Sequence, residues 1–136
     1  MSEESLHRTV VQYLKLAMPE GVFWFHPANG GYKLGKRTAG RLKAMGMVAG
    51  VPDICLVHRG QLYGIELKAA GIFAGNAMKG RGYLSKDQRT CHAAMREAGA
   101  IIATCWSLDD VQHSLKTWGV PQKVPGGGLF SEKGAA

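Results

Sequence analysis

The chain is short of cysteine, aromatic residues and long apolar runs, and each shortage narrows what it does. Its three cysteines, Cys55, Cys91 and Cys105, are an odd number without Cys-x-x-Cys spacing. That argues for reduced thiols in a cytoplasmic setting and against metal binding through sulfur. No stretch approaches the ~18 consecutive apolar residues of a membrane span. The opening MSEESLHRTV is acidic and polar, unlike a secretory leader. Aromatics make up only 8% of the chain, too few for a typical sugar cleft. Acids are locally missing as well: between Gly31 and Gly46 stand Lys33, Lys36, Arg37, Arg41 and Lys43 and no acidic residue.

What remains is a basic globular chain. It has 136 residues, 46% of them hydrophobic, and a formal net charge of +7. That length supports one domain with a real core. A second acid-free stretch, 69–86, follows Lys68 and carries Lys79, Arg81 and Lys86. Patches of this kind attract polyanions, of which phosphate backbones are the usual case.

Hydrophobic periodicity orders the elements. Leu6, Val10, Leu14 and Ala17 mark one face of a helix over 3–18, stopped by Pro19 and Gly21. VFWF (22–25) is a short β-rich run, and 36–45 read as a basic helix ended by Gly46. DICLV and LYGIELK alternate as two strands around a short turn. The glycine-rich stretch 71–82 has loop composition. Ser85 with Gln88 has the spacing of a capping box and opens a helix to about Ala98. AIIATCW (100–106) reads as a buried strand, and Ser107 with Asp110 repeats the cap before a helix to about Trp118. The domain is therefore expected over 1–118, with 119–136, rich in Pro and Gly, as a flexible tail. The order α-β-α-β-β-α-β-α predicts an α/β fold: a mixed four-stranded sheet flanked by helices. A right-handed crossover should join the strand at 62 to the one ending at 105 and make them a parallel pair.

One stretch, GVPDICLVHRGQLYGIELKAA (50–70), carries more than fold information. With a two-residue turn at Arg59-Gly60, His58 faces Gln61, Val57 faces Leu62 and Cys55 faces Gly64. The same register sets Asp53 opposite Glu66. Ile54, Leu56, Tyr63, Ile65 and Leu67 then share the reverse, apolar face. Lys68 returns to the acids' side roughly 7 Å along the strand. Like charges directly opposed, about 5 Å apart, are destabilising. Either one carboxyl is protonated or a cation lies between them, and an oxygen-seeking ion such as Mg²⁺ or Mn²⁺ suits the pair best. Taken singly, Asp53 also reads as a turn residue, and Glu66 with Lys68 as a solvated strand face with a screened ion pair.

In sum, Gly50-Val51-Pro52-Asp53, then GIELKA (64–69), LSKDQ (84–88) and the opening helix EESLHRTVVQYL resemble the VRR-NUC branch of the PD-(D/E)XK nuclease superfamily. That branch includes standalone phage and bacterial nucleases and the nuclease domain of Fanconi-associated nuclease. The resemblance covers residues 3–118. It implies a restriction-endonuclease-like core and metal-dependent hydrolysis of DNA phosphodiester bonds with one or two Mg²⁺ or Mn²⁺ ions. It further implies a structure-selective endonuclease for Holliday-junction or branched DNA, acting as a homodimer in the cytoplasm, the bacterial host's if phage-encoded.

By position, Asp53 and Glu66 would be metal ligands, with the Leu67 carbonyl a third, and Lys68 would orient or deprotonate the attacking water. The resemblance also calls for a further acid near the site on the first helix, a catalytic residue and metal ligand. Glu3 lies on the stripe of His7, Val10 and Leu14, whereas Glu4 points about 100° away, so Glu3 is the choice. His7 departs from the family's pattern, standing where a Gln is usual. Gln88 has two readings: it bonds back to its own cap, or it approaches the active site. His26 and Asn29 are candidates for touching DNA, together with Lys33, Lys36 and Arg37. Lys79 and Arg81 are candidates for closing over phosphates. A non-catalytic DNA-binding module of the same fold is the alternative, and a glycosidase using the two carboxyls is a remote third.

Overall fold

A computed structural model describes residues 1–28, 35–70 and 83–123. Asn29, Lys33, Lys79 and Arg81, the 71–82 segment and the chain beyond Lys123 lie outside these described residues. The elements follow the expected order: α1 (Glu3–Ala17), β1 (Val22–Phe25), α2 (Lys36–Ala44), β2 (Ile54–His58), β3 (Gln61–Leu67), α3 (Lys86–Glu97), β4 (Ile101–Cys105) and α4 (Leu108–Thr117).

The hairpin is the organising unit. Its turn has positive φ at both central residues, 52° at Arg59 and 77° at Gly60. This twist matches that of the flanking strands and fixes the register. Val57 pairs with Leu62, Cys55 with Gly64 and Ile54 with Ile65. β1 adds antiparallel to β2, and β4 adds parallel to β3, giving a mixed sheet in the order β1-β2-β3-β4.

Period-2 alternation then separates the two faces. Ile54, Leu56, Tyr63, Ile65 and Leu67 are buried, and they join one core with Leu6, Val10, Leu14 and Ala17 of α1 and Val111 and Leu115 of α4. The other face is covered by α3, whose buried side chains are Cys91 and His92. β1 keeps Phe23 and Phe25 exposed. α2 buries no residue at all, leaving its basic side chains in solvent.

Several expectations change in detail. AIIATCW is not wholly buried: β4 is an edge strand, and Ile101 is exposed while Ile102 and Cys105 are covered. The Ser107 cap accepts from the Asp110 N–H at 3.1 Å, but the Asp110 carboxylate reaches back one residue further than a capping box, to the Trp106 N–H at 2.8 Å. The domain boundary also moves. Val120 and Gln122 are fully buried, Tyr13 donates to the Gln122 side chain at 2.5 Å, and the Lys123 N–H donates to the Ala17 carbonyl at 2.6 Å. Residues 119–123 are therefore a clasp on α1 rather than the start of a flexible tail. Pro and Gly composition signalled a break in periodicity but not the burial of single residues between the breaks.

Candidate active site

The site forms where β2 begins and β3 ends. Asp53 stands just before β2, and its Oδ2 accepts from the Leu67 N–H at 2.7 Å. This side-chain bond stands where the backbone ladder has ended at Ile54 and Ile65, and it holds Asp53 beside Glu66. In a strand, N–H and C=O of one residue leave on the same side. The Leu67 N–H points to Asp53 while the Lys68 N–H donates to the Cys105 carbonyl on the β4 side at 3.0 Å. The Leu67 carbonyl is thus aimed toward the acids, although its side chain is in the core.

Two glycines make this arrangement possible. A Cβ on Gly64 would lie 2.7 Å from Pro52 Cγ, so the bare backbone there gives Pro52 its place above the sheet. Gly50, at φ +89°, packs against the backbone of Asp87 and Gln88 in the first turn of α3. The helix start is thereby brought down onto the acids.

Glu66 is 2% exposed, far from a solvated strand face. Its carboxyl is pushed up to about 9, first by burial, then by a hydrogen bond with Asp53 and by the Asp53 charge, with Lys68 opposing. Without a cation the pair therefore holds a proton, one of the two resolutions that opposed acids allow. Gln88 both closes the cap and reaches Glu66. Its backbone N–H donates to Ser85 Oγ and its Oε1 accepts from the Ser85 N–H, completing the capping box, while Nε2 donates to Glu66 Oε2 at 3.2 Å.

Lys68 is buried with its Nζ 3.9 Å from Glu3 Oε1, which places Glu3 at the site. Glu4 instead pairs with Arg8 at 3.6 Å on the exposed side of α1, as the helical wheel requires. Ser2 caps α1 through the Ser5 N–H, so the helix is closed just ahead of Glu3. His26 has a structural partner: its Nδ1 donates to the Asp53 carbonyl at 2.6 Å. His7 sets its ring edge-on to His26, centroids 4.5 Å apart, and burial followed by His26 lowers its pKa. Lys36 and Arg37 are exposed on α2.

Sequence reasoning missed His92. It is fully buried, four residues after Gln88, with Nε2 3.4 Å from Glu66 Oε1. Burial, then Arg96, lowers its pKa, against the Gly50 backbone and Asp53. The available signal was position: residues i and i+4 share a helix face, so whatever Gln88 faces, His92 faces too.

Together Glu3, His7, His26, Asp53, Glu66 and Lys68 border a cavity of about 700 Å³. Among the described residues no group of three or more His, Cys, Asp or Glu is arranged to hold a metal ion. The donors that do lie together are the carboxyls of Asp53 and Glu66. Mg²⁺ is commonly bound in this way, through one or two carboxylates, with waters and substrate phosphate completing its shell. Glu66 Oε1 is buried without a hydrogen-bond partner, so the carboxyl keeps accepting capacity that an ion could use. The residues fit the group.

This arrangement has a pH signature. The folded-state pKa of Glu66 is raised from 4.5 to about 9, so its stabilising effect is full below about 4.5 and drains away as pH rises through 9. In metal-free buffer at pH 8, Glu66→Gln is expected to melt roughly 4–8 °C above wild type, about 1–2 kcal/mol. Thermal melts across pH 5–9 check this: the wild-type midpoint should fall with pH more steeply than that of the variant.

The chain is an α/β protein with a four-stranded mixed sheet and four helices among its described residues. No family model, curated protein or solved structure matches it. No helix among the described residues is long and apolar enough to cross a membrane.

Proposed function

We propose that the chain is a Mg²⁺- or Mn²⁺-dependent DNA endonuclease with a restriction-endonuclease-like PD-(D/E)XK core of the VRR-NUC type. The observation that carries this reading is the buried Glu66 carboxyl with the half-buried Asp53 and the buried Lys68 beside it, all bordering one cavity. A purely structural role explains it poorly, because two facing carboxyls and a buried lysine weaken a fold unless a ligand uses them. The net charge of +7 and the exposed bases of α2 support a polyanionic substrate.

Asp53 and Glu66 would hold the ion, with the Leu67 carbonyl turned to the same gap. When bound, a divalent ion lowers the pKa of water and neutralises charge at a phosphate. Lys68 orients the attacking water and steadies negative charge on the phosphoryl oxygens. Water oxygen loses a proton and adds to phosphorus as the bond to the leaving sugar oxygen breaks, and that oxygen takes up a proton, leaving a phosphomonoester and a sugar hydroxyl. Glu3 keeps the Lys68 ammonium in place, and His26 holds the Asp53 backbone. The substrate we infer is branched DNA, cut symmetrically by a homodimer, since a domain of this size presents one such site.

The test is a cleavage panel of four-way junction, flap and linear duplex DNA in Mg²⁺ and in EDTA. Cleavage in Mg²⁺ alone, strongest on the branched substrates, is the expected result. A purified chain that binds these DNAs and cuts none of them in Mg²⁺ or Mn²⁺ is a binding module, and the enzymatic reading fails.

A further inference from the structure

Glu66 is gripped from the α3 side by two residues, of which only one belongs to the motif. Gln88 donates to Oε2 at 3.2 Å, and His92 Nε2 lies 3.4 Å from Oε1, one side chain for each carboxyl oxygen. Their i, i+4 spacing puts both on one face of α3. Gly50 lets that face come close, since its bare backbone accepts the first turn of the helix.

His92 is an odd choice if only volume needs filling. It is 0% exposed, and neither of its ring nitrogens makes a hydrogen bond of good geometry. Leucine or phenylalanine would fill the space and leave no polar atom unpaired. The other unpartnered buried atom here is Glu66 Oε1, the atom His92 Nε2 faces. Two orphaned groups aimed at each other make a hydrogen bond once either side chain moves by a few tenths of an ångström.

We propose that His92 is a positioning residue of the cation site: as an Nε2–H donor it pairs with Gln88 to lock the Glu66 carboxylate in the orientation that meets a divalent ion. The role rests on the reading of Asp53 and Glu66 as a cation site. His92 touches neither ion nor DNA and acts through Glu66 alone, so its loss reads out in ion affinity. Outer partners that orient a ligating carboxylate typically change metal affinity 10–100-fold when removed.

The experiment uses the full chain, Mn²⁺ as probe, and two readouts: the Mn²⁺-induced rise in melting temperature and calorimetric binding. His92→Phe keeps the bulk and removes the donor, with His92→Leu as a second donor-free variant should the phenyl ring not be accommodated. His92→Gln keeps a donor. The donor-free variant is expected to melt near wild type without metal, yet to need roughly 10–100-fold more Mn²⁺ for the half-maximal shift, with His92→Gln within about 3-fold of wild type. A donor-free variant that takes up Mn²⁺ at wild-type concentrations overturns the role, and so does a His92→Gln as weak as the donor-free form. A wild type without any Mn²⁺ response overturns the cation site itself and this role with it. The two failures are thus told apart by the wild-type curve.

Discussion

Asn in place of Asp53 is expected to lower Mg²⁺-dependent cleavage of DNA by about 10³-fold or more, while in metal-free buffer the variant melts no lower than wild type. The separation follows from the two tasks of this side chain. Its structural task is to accept the Leu67 N–H at 2.7 Å, and the amide oxygen of Asn performs it equally well. Its proposed chemical task needs a negative charge next to Glu66, which Asn lacks. Loss of a charged ligand removes several kcal/mol of stabilisation at the transition state, and about 4 kcal/mol corresponds to the stated factor. Cleavage rates measured beside thermal melts settle it. A variant that cuts at the wild-type rate would remove Asp53 from the chemistry.

The second large effect belongs to a residue with no side chain. Gly50→Ala is expected to destabilise the fold by about 3–5 kcal/mol, lowering the melting temperature by roughly 12–20 °C. Two penalties combine. The φ of +89° is one that L residues rarely adopt, and a Cβ there would lie 2.5 Å from the Asp87 carbonyl carbon and 2.8 Å from the Gln88 nitrogen. Both are backbone atoms, so no rotamer change relieves the contact. Gly99→Ala is the control, because Gly99 has φ +107° but nothing within 4 Å of its would-be Cβ. It should show the strain alone, about 1–3 kcal/mol. Denaturant titrations of the two variants compare them directly, and equal losses would mean that the close approach of α3 contributes nothing.

Much of the hairpin was legible because its rules are local. A two-residue turn sets the register by arithmetic, and Ile54↔Ile65 through His58↔Gln61 follow it. That Glu3 rather than Glu4 faces Lys68 was legible for the same reason, since a helical wheel needs only spacing. Illegible features depend on what arrives from elsewhere in the chain. Alternation places Glu66 and Lys68 on one face but does not say whether that face is wet, and α3 makes Glu66 dry. His92 within CHAAMRE looks like any helical histidine until the carboxyl beneath it is known. Val120 and Gln122 read as tail because two isolated buried residues have no period. Gln88 posed a choice between cap and site. Its backbone N–H and Oε1 serve the cap while Nε2 serves Glu66, so the choice was not a real one.

The parallel pairing of β3 with β4 bears on the order in which the molecule assembles. A hairpin with a two-residue turn closes within about 1–10 μs, because its partners are neighbours in sequence. β4 docks only after the chain between has been gathered and α3 laid down, and such non-local closure is slower. Asp53 and Glu66 therefore meet early, in a folding chain where Gln88 and His92 have not yet arrived. For that interval the acids are still open to water, which solvates their charge. The desolvation that makes Glu66 hold its proton comes with α3, so the site acquires its chemistry only after the hairpin that carries the acids has closed.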